Sequence, residues 1–327
     1  MISELELGVF FAMKHIKEYV LLLLVIIGIG LYLMLRPSDG VQYELPELAA
    51  LNTRNVDTVR ISSANSSLSL RRSNETWKIA DKGYEADGDR VQELLDQVAD
   101  LDISALVSQS GDYTRYHLDP ERRIRVEARG DGETLRELIL GKSAGEVANT
   151  YIKLPGDENI YMAESDLRGS FDVTTGDLRD KTVFRVARDA VRSVRLSSVN
   201  GSRRIRRAEA EESGTNGTDA SAWTDRQGDR VGSKKVQKLL RSLETVTCRE
   251  YTESLSRNGT GYRIEVTTDS THRLRLFEPE GESATAYEGE SSQARDPFVL
   301  PGYKGRGVVS AVKGLLGEPT HRSDAGQ

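Results

Sequence analysis

The side chains with the greatest capacity for chemistry in this sequence are four histidines and one cysteine. The histidines are His15, His117, His272 and His321, and Cys248 is the single cysteine. Zinc sites combine His and Cys ligands at short, regular spacings, which these scattered residues lack. A lone cysteine also excludes an intramolecular disulfide. The sequence therefore predicts no metal site and no cofactor site.

A hydrolytic site can be assembled from residues that are distant in sequence. The candidates are His117 and Asp119, within Tyr116-His-Leu-Asp-Pro120, together with Arg179 and Asp180. Histidine and carboxylate side chains serve as general bases in many enzymes. The Asp-Pro pair favours a turn, however, which is the more common role for such residues. We therefore predict no catalytic residues, and an envelope hydrolase with this dispersed site is the alternative hypothesis.

Two further patterns imitate functional sites. Gly302-Tyr-Lys-Gly-Arg-Gly307 suggests a phosphate-binding loop, but it lacks the Gly-Lys-Ser/Thr ending, and an apolar-periodic helix follows from Val308. Asp87 and Asp89 suggest a carboxylate pair, but helix capping explains them better. We predict a loop that leads into a core helix in the first case and a capped helix in the second.

An internal repeat organises the elements that carry these residues. Val59-Arg-Ile-Ser-Ser63 recurs as Val194-Arg-Leu-Ser-Ser198. In both segments apolar and polar residues alternate, as they do in half-buried strands. Each copy continues with a basic strand and then a tryptophan strand, around Trp77 and Trp223. Both tryptophans are predicted to pack between sheet and helix. Two later strands also match, Ile124-Arg-Val126 and Leu138-Ile-Leu140 with Ile264-Glu-Val266 and Leu274-Arg-Leu276.

One amphipathic helix follows the tryptophan strand in each copy. The apolar residues recur at i, i+3, i+4, i+7 and i+10, from Val91 in the first copy and from Val236 in the second. That spacing gives one apolar stripe along a helix. Asp87 or Asp89 is expected to cap the first helix and Ser233 the second. An insert at 209–221, rich in acidic and small polar residues, reads as an exposed loop in the second copy.

The N-terminal region contains a long apolar segment. Residues 19–35 carry no charge, and 12 of these 17 residues are Leu, Ile or Val. A helix of this length spans about 26 Å, near the lower limit for crossing a bilayer. No small-x-small cleavage site follows, which favours an uncleaved anchor over a signal peptide. Lys14 and Lys17 precede the segment, so the positive-inside rule places the N-terminus in the cytoplasm. Met13 is an alternative translation start.

The net charge of the chain is −6. An acidic protein repels phosphate backbones, so nucleic acid is not an expected partner. The hydrophobic share of 37% suffices for the core of a chain of 327 residues, which is long enough for two domains and an anchor.

Several of these features together resemble one bacterial family. They are the N-terminal anchor, Trp77-Lys-Ile79, the Asp89-x-Val91-x-x-Leu94-Leu95 helix, Tyr116-His-Leu-Asp-Pro120, Gly141-Lys142, Tyr151 and Leu178-Arg-Asp-Lys181. The chain resembles the membrane-anchored family named domain of unknown function 4340 (DUF4340), most closely over residues 13–185. The resemblance implies an envelope component, and an association with ABC-type export systems related to gliding motility. It implies no catalytic residues.

The predicted fold is α+β, with an N-terminal transmembrane helix followed by two related modules of mainly antiparallel sheet, each with one packed helix. The predicted segments are a cytoplasmic N-terminus (1–18), the anchor (19–35), a tether (36–55), the first module (56–186), the second module (187–321) and a tail (322–327). We expect a single-pass protein of the inner membrane, with the bulk of the chain periplasmic.

The expected function is that of a non-enzymatic envelope protein, an accessory or binding component of an ABC-type transport or export system. Its partners would be the membrane, through residues 19–35, and envelope proteins such as an ABC permease complex. A soluble binding protein released by signal cleavage is a further alternative.

Overall fold

The computed structural model describes residues 19–32, 34, 44–145, 148–208, 222–279 and 285–319. The predicted cytoplasmic segment 1–18, the insert 209–221 and the tail 322–327 lie outside these residues, as do Met13, His15 and His321. The chain divides into two compact units, residues 1–47 and residues 48–327. The finer limits of the two predicted modules stay predictions.

The first unit includes a helix, α1, over residues 19–32. Its large apolar side chains are exposed, from 50% for Val25 to 69% for Tyr19. Among the described residues, none of the helices combines the length and the apolar character that crossing a membrane requires. The transmembrane anchor over residues 19–35 stays a prediction.

The second unit is α+β and mainly antiparallel, as predicted, and its first sheet has nine strands. These are β1 (Thr58–Ser62), β2 (Ser67–Ser73), β3 (Thr76–Ile79), β4 (Tyr84–Glu85), β5 (Ile103–Ser108), β6 (Ile124–Gly130), β7 (Glu133–Ala144), β8 (Asn149–Lys153) and β9 (Ile160–Ala163). Their order across the sheet is β4-β3-β2-β1-β6-β7-β8-β9-β5.

Eleven further strands follow. β10 (Thr182–Arg185) and β15 (Thr245–Thr247) form a small two-stranded sheet. The others are β11 (Ser193–Ser198), β12 (Gly201–Arg207), β13 (Trp223–Asp225), β14 (Arg230–Val231), β16 (Glu250–Tyr251), β17 (Thr260–Thr267), β18 (Thr271–Glu278), β19 (Ala286–Ser291) and β20 (Phe298–Pro301). They form a second nine-stranded sheet, in the order β14-β13-β12-β11-β17-β18-β19-β20-β16.

The two sheets have the same strand order. Each begins with four strands that follow one another in sequence, continues with four strands from after the helix, and ends with a crossover strand, β5 or β16. The registers also agree, since Val59 pairs with Ala128 in the first sheet and Val194 with Val266 in the second. A shared order of nine strands is strong support for the repeat that the sequence suggests.

These registers correct one detail of the repeat. Because Ile61 pairs with Val126 and Leu196 pairs with Ile264, the structure places Ile264 at the position of Val126. The match of Ile124-Arg-Val126 with Ile264-Glu-Val266 was therefore wrong by two residues. Strands alternate with a period of two, so a shift of two residues keeps the same face and is hard to detect in a sequence.

Six helices are described, beginning with α1. The others are α2 (Gly88–Ala99), α3 (Leu167–Phe171), α4 (Thr175–Leu178), α5 (Ser233–Leu243) and α6 (Gly302–Leu316). Asp87 caps α2, accepting hydrogen bonds from the amides of Asp89 and Arg90, as predicted. The capping role predicted for Ser233 is wrong, because α5 begins at Ser233 and its N-cap residue is Gly232.

The loop predicted at Gly302–Gly307 is also wrong, because these residues form the first turns of α6. Tertiary packing explains why a glycine is needed there. A Cβ at position 305 would lie 2.2 Å from Cγ of Tyr287. Gly305 thus allows α6 to lie directly on β19, and this packing outweighs the low helix propensity of glycine.

A repeated arginine–tryptophan contact supports the structural role predicted for Trp77 and Trp223. The guanidinium of Arg72 lies 4.7 Å from the ring centre of Trp77, and that of Arg207 lies 5.4 Å from that of Trp223. Each arginine also donates hydrogen bonds to carbonyl oxygens of the 3-10 turn that precedes its sheet. Both tryptophans are buried.

Each large sheet has one covered face and one open face. Helices α2 and α3 contact the first sheet, and α6 contacts the second sheet and packs with α5. Apolar strand residues point to the covered faces, and the second core joins strand residues such as Val194 and Ile264 to Leu239 and Val312. The residues between them point to the open faces, which carry mostly arginine, glutamate and serine.

Candidate binding site

The loop that carries Tyr116-His-Leu-Asp-Pro120 packs against the first sheet. Leu118 is buried, and the carbonyl oxygen of Tyr116 faces Gly141 so closely that a Cβ at position 141 would lie 2.3 Å from it. The rings of Tyr116 and Tyr151 meet edge-on with their centres 4.8 Å apart. These motif residues contact one another, and their arrangement holds the loop in place.

His117 and Asp119, two candidates for a hydrolytic site, lie in this loop. His117 has a left-handed backbone, with φ of 57°. Its pKa is lowered by burial and by the nearby Arg122, Lys142 and Arg168. Burial acts to raise the pKa of Asp119, but its hydrogen bond and ion pair with Arg122 outweigh that effect and lower it. The Nε of Arg122 lies 3.0 Å from Asp119 Oδ2, so this carboxylate stabilises the turn.

Arg179, a third candidate, lies at the junction of the two sheets. Its guanidinium lies 3.8 Å from the ring centre of Tyr84 in β4 and 3.3 Å from that of Tyr251 in β16. It also forms an ion pair of 2.9 Å with Asp296, in the loop between β19 and β20. We call Arg179, Tyr84, Tyr251 and Asp296 the Arg179 cluster. Because its members come from both sheets, the cluster links them.

Asp180 belongs to the same junction. Its carbonyl oxygen accepts a hydrogen bond of 2.8 Å from the hydroxyl of Tyr251, and its amide donates to the carbonyl oxygen of Glu85. Burial raises the pKa of the neighbouring Tyr251 and raises that of Cys248 to about 11. A thiol with such a pKa is protonated near neutral pH and is a poor nucleophile.

The four candidates for a hydrolytic site therefore lie in two separate parts of the fold. Among the described residues, no hydrogen bond or ion pair joins His117 or Asp119 to Arg179 or Asp180. His272 lies elsewhere, on β18, where its ring nitrogens contact Ser270 and Gln293. Within the described ranges, no group of three or more His, Cys, Asp or Glu side chains is placed to hold a metal ion.

The open faces present the same four residues at equivalent positions in the two sheets. In the first sheet, Arg60 pairs with Glu127 and Ser62 pairs with Arg125 across β1 and β6. In the second sheet, β11 and β17 repeat these pairs with Arg195 opposite Glu265 and Ser197 opposite Arg263. We call these two sets the first and second arginine patches. The strand period of two places the four residues of a patch on one face.

Each patch borders a cleft. The cleft at the first patch has a volume of about 300 Å³ and is lined by Arg60, Ser62, Arg125, Glu127 and Arg129. The cleft at the second patch is larger, about 560 Å³. Its lining includes Arg263 and Glu265 from β17 and extends to Arg273, Arg275 and Glu290. The second cleft also reaches Asp296 of the Arg179 cluster.

Ion pairs occupy the carboxylates of these clefts. Glu265 contacts Arg273 at 3.5 Å and Arg195 at 4.0 Å, and Glu290 contacts Arg275 at 3.4 Å. In the first cleft, Arg129 contacts Glu127 at 4.0 Å, and Arg125 pairs at 2.9 Å with the adjacent Glu137.

Of the four patch arginines, two have no ion-pair partner within the part of the chain that the structure describes: Arg60 in the first patch and Arg263 in the second, which occupy different positions of the shared pattern. Both of these side chains are exposed. Each patch therefore offers one guanidinium group that is free to bind an oxyanion.

The two patches are not among the sites predicted from the sequence, although one sequence signal points to them. The repeated Val-Arg-Ile/Leu-Ser-Ser motif contains Arg60 and Ser62 in one copy and Arg195 and Ser197 in the other. The alternation of this motif predicts strands, and the match between its outward residues indicates a shared surface. Arg125 and Arg263 were hidden by the two-residue error in matching β6 with β17.

Comparison with known proteins identifies the family but no individual relative. No curated protein and no solved structure gives a significant match. The family model described as "Domain of unknown function (DUF4340)" matches residues 77–275, which begin at Trp77 and extend into the second sheet as far as β18. The match thus lies further toward the C-terminus than the resemblance over residues 13–185 suggested. Since it covers more than half of the chain, this protein belongs to the DUF4340 family.

Proposed function

We propose that this protein is a non-enzymatic, membrane-anchored component of the cell envelope that binds partner proteins through its two sheets. The observation that carries the proposal is the pair of open faces, each with an arginine patch at the same position. The open face of an antiparallel sheet has to be polar, but cross-strand pairs on it contribute only about 0.2–1 kcal/mol each. Matching polar residues on both open faces therefore favour a binding role.

The anchor is supported by the sequence of the N-terminal region. Residues 19–35 are uncharged, and the described apolar side chains of α1 are exposed. Exposed apolar surface is costly in water and favourable in lipid. With Lys14 and Lys17 on the cytoplasmic side, the chain from about residue 37 onward would lie in the periplasm.

The accessory role in an ABC-type transport or export system follows from what the family resemblance implies. The Arg179 cluster is compatible with this role, because it links two sheets with open faces and would hold the faces in a fixed arrangement. A rigid pair of binding faces lowers the entropic cost of docking onto a multi-subunit partner.

The role is tested by crosslinking in intact cells of the native host, followed by affinity capture of the full chain and mass spectrometry. Residues 1–43 with the same affinity tag are the matched bait, since they keep the predicted anchor and lack both sheets. We expect an ABC permease and its ATPase to be enriched at least about tenfold over that bait, because the binding faces lie beyond residue 43. Equal recovery by the two baits would show that the sheets do not bind the transporter.

The anchor requires a separate test. In alkaline carbonate extraction of membranes, the full chain is expected to stay in the pellet. The double variant Leu22→Glu, Ile26→Glu is expected to move to the supernatant, since each buried acid costs about 3 kcal/mol at the centre of a bilayer. Release of the unaltered chain by carbonate would contradict the anchor.

A further inference from the structure

We propose that the two arginine patches are binding sites for acidic segments of a partner polypeptide, with Arg60 and Arg263 as the groups that contact the partner's carboxylates. This inference rests on the proposed binding function and names the chemistry of the partner. It is carried by three properties of the patches: their equivalence, their unpaired guanidinium groups and the composition of the cleft linings.

The equivalence of the patches has no explanation in packing. The covered faces share apolar residues because both cores must be filled, as with Val59 and Val194, which are fully buried or nearly so. Arg60, Arg125, Arg195 and Arg263 are exposed, and exposed positions are under no such constraint. Retention of the same residue types at these positions in both sheets points to a common class of ligand, which the free arginine contacts from a different position in each patch.

Cross-strand pairing is the competing explanation, because opposite charges on neighbouring strands stabilise a sheet. The observed contacts do not support cross-strand pairing as the main role of the patch arginines. Arg60 lies opposite Glu127 but forms no ion pair with it, and Glu127 instead contacts Arg129. Arg195 reaches Glu265 only at 4.0 Å, while Arg273 lies closer at 3.5 Å. An exposed pair at such distances contributes little to stability.

The unpaired guanidinium groups specify an oxyanion. A guanidinium presents parallel N–H donors that match the two oxygens of a carboxylate. Because neighbouring arginines already neutralise Glu127, Glu265 and Glu290, the free charge of Arg60 and Arg263 is not cancelled locally. Ser62 and Ser197 lie opposite Arg125 and Arg263 and offer hydroxyl groups beside the arginines.

The residues that line the clefts favour a polypeptide ligand over a polyphosphate. The larger cleft contains four arginines but also Glu265, Glu290 and Asp296. These three carboxylates are ion-paired, but they still set acceptor oxygens among the arginines, and a polyphosphate has no N–H donors to bind them. They can accept hydrogen bonds from the amides of a peptide, whose carboxylates reach the arginines between them. An extended acidic peptide thus matches the alternation of donors and acceptors on the strands.

The test measures binding of a fluorescent 16-residue peptide of alternating Glu and Ala to the full chain in uncharged detergent at low salt. The double variant Arg60→Gln, Arg263→Gln is expected to weaken binding about tenfold or more, since each substitution removes one charge-assisted contact. Arg241→Gln is the matched control, because Arg241 is exposed on α5, on the helix side of the second sheet. It removes one positive charge, as each of the two substitutions in the double variant does, and should change affinity by less than about twofold. A peptide of alternating Gln and Ala should not bind.

Three results would overturn the proposal: an equal loss of affinity in Arg241→Gln and the double variant, unchanged binding in the double variant, or tighter binding of polyphosphate than of the acidic peptide. The first and third would indicate general attraction of anions. Circular dichroism of each variant checks that the fold is intact. If the peptide test fails while the full chain still captures the ABC permease, only the chemistry of the patches is wrong. If the peptide binds and the permease is not captured, the transporter assignment fails instead.

Discussion

The two sheets share one strand order but hold the segment that precedes them in different ways. Before the second sheet, β10 pairs with β15, and Phe184 of β10 is fully buried. Before the first sheet, the described residues from 48 to 57 contain a 3-10 turn and no strand. Here Arg136 donates hydrogen bonds to the carbonyl oxygens of Val98, at 3.0 Å, and of Ala49. The segment that precedes the sheet is thus held by a buried arginine in the first case and by a strand pair in the second.

The residues that make these contacts lie at equivalent strand positions in the two sheets. Arg136 lies opposite Ala128 in β6, and His272 lies opposite Val266, the residue at the same position in β17. His272 meets the ring of Phe184 edge-on, with the ring centres 6.4 Å apart. The two sheets share both their strand order and their buried apolar strand residues, whereas the contacts at this margin use different chemistry.

The largest effect is expected at Arg136, which is 8% exposed. Arg136→Met keeps most of the volume but leaves the carbonyl oxygens of Val98 and Ala49 without their charged donor. Each lost bond to a charged group costs about 1.5–3 kcal/mol, so we expect a loss of about 4 kcal/mol in the free energy of unfolding, measured with urea. His272→Ala, the matched change, should cost about 1 kcal/mol, because its partners remain partly solvated. Equal losses of unfolding free energy would show that the two side chains contribute equally to stability.

The second effect concerns α6, which has 15 residues, whereas the first sheet is followed by the short helices α3 and α4. Gly305→Ala places a methyl group against Tyr287 and should destabilise the protein by about 2 kcal/mol through overpacking. Gly307→Ala is the control, since nothing lies within 4 Å of a Cβ there. This change should stabilise the helix by about 0.5–1 kcal/mol. Thermal unfolding distinguishes the two, and a gain of stability in both would mean that α6 does not rest on β19.

The third effect concerns the Arg179 cluster, which joins the two sheets. Arg179→Ala removes contacts with Tyr84 and Tyr251 and an ion pair with Asp296, and it should destabilise the protein by about 1.5 kcal/mol. Arg179→Lys keeps the charge but lacks the planar group that lies between the two rings, so it should recover less than half of that loss. Urea unfolding and limited proteolysis at the junction measure both changes. Full recovery by lysine would indicate that the ion pair alone matters.

Local patterns predicted much of this fold. The apolar spacing from Val91 and from Val236 gave both amphipathic helices, because that periodicity belongs to a single element. The Val-Arg-Ile/Leu-Ser-Ser repeat located β1 and β11 for the same reason. The helical state of Gly302–Gly307 was not predictable, since it depends on the contact between Gly305 and Tyr287, which are distant in sequence.

The candidate site was less predictable than the fold. The Arg179 cluster draws on positions 84, 179, 251 and 296, and no local pattern links them. The arginine patches depend on strand register, which side-chain alternation leaves open to shifts of two residues. Asp119 and Arg179 are candidates for one dispersed hydrolytic site in the sequence. Their contacts show that each supports a different part of the structure.

The smallest effect concerns Asp225, and it depends on pH. Asp225 pairs with Ile205 in β12 as Ile79 pairs with Leu70 in β2, so the second sheet has a carboxylate where the first has an apolar side chain. Its hydrogen bond with Arg203 and those with the amides of Asp229 and Gln227 outweigh burial and lower its pKa. The Nη2 of Arg203 lies 3.0 Å from Asp225 Oδ2, and Nη1 donates to the carbonyl oxygen of Leu315 in α6.

A carboxyl whose pKa is lower in the folded state contributes stability above its unfolded pKa and loses that contribution as the pH falls through the folded pKa. Asp225→Asn should therefore lower the melting temperature at pH 7, and the difference from the unaltered chain should shrink as the pH falls below about 4, the usual range of an aspartate. Asp229→Asn is the control, because that side chain is exposed on the adjacent turn. A difference that stays constant from pH 7 to pH 2 would mean that Asp225 acts through its shape and not through its charge, and the contrast with Ile79 would then be one of packing alone.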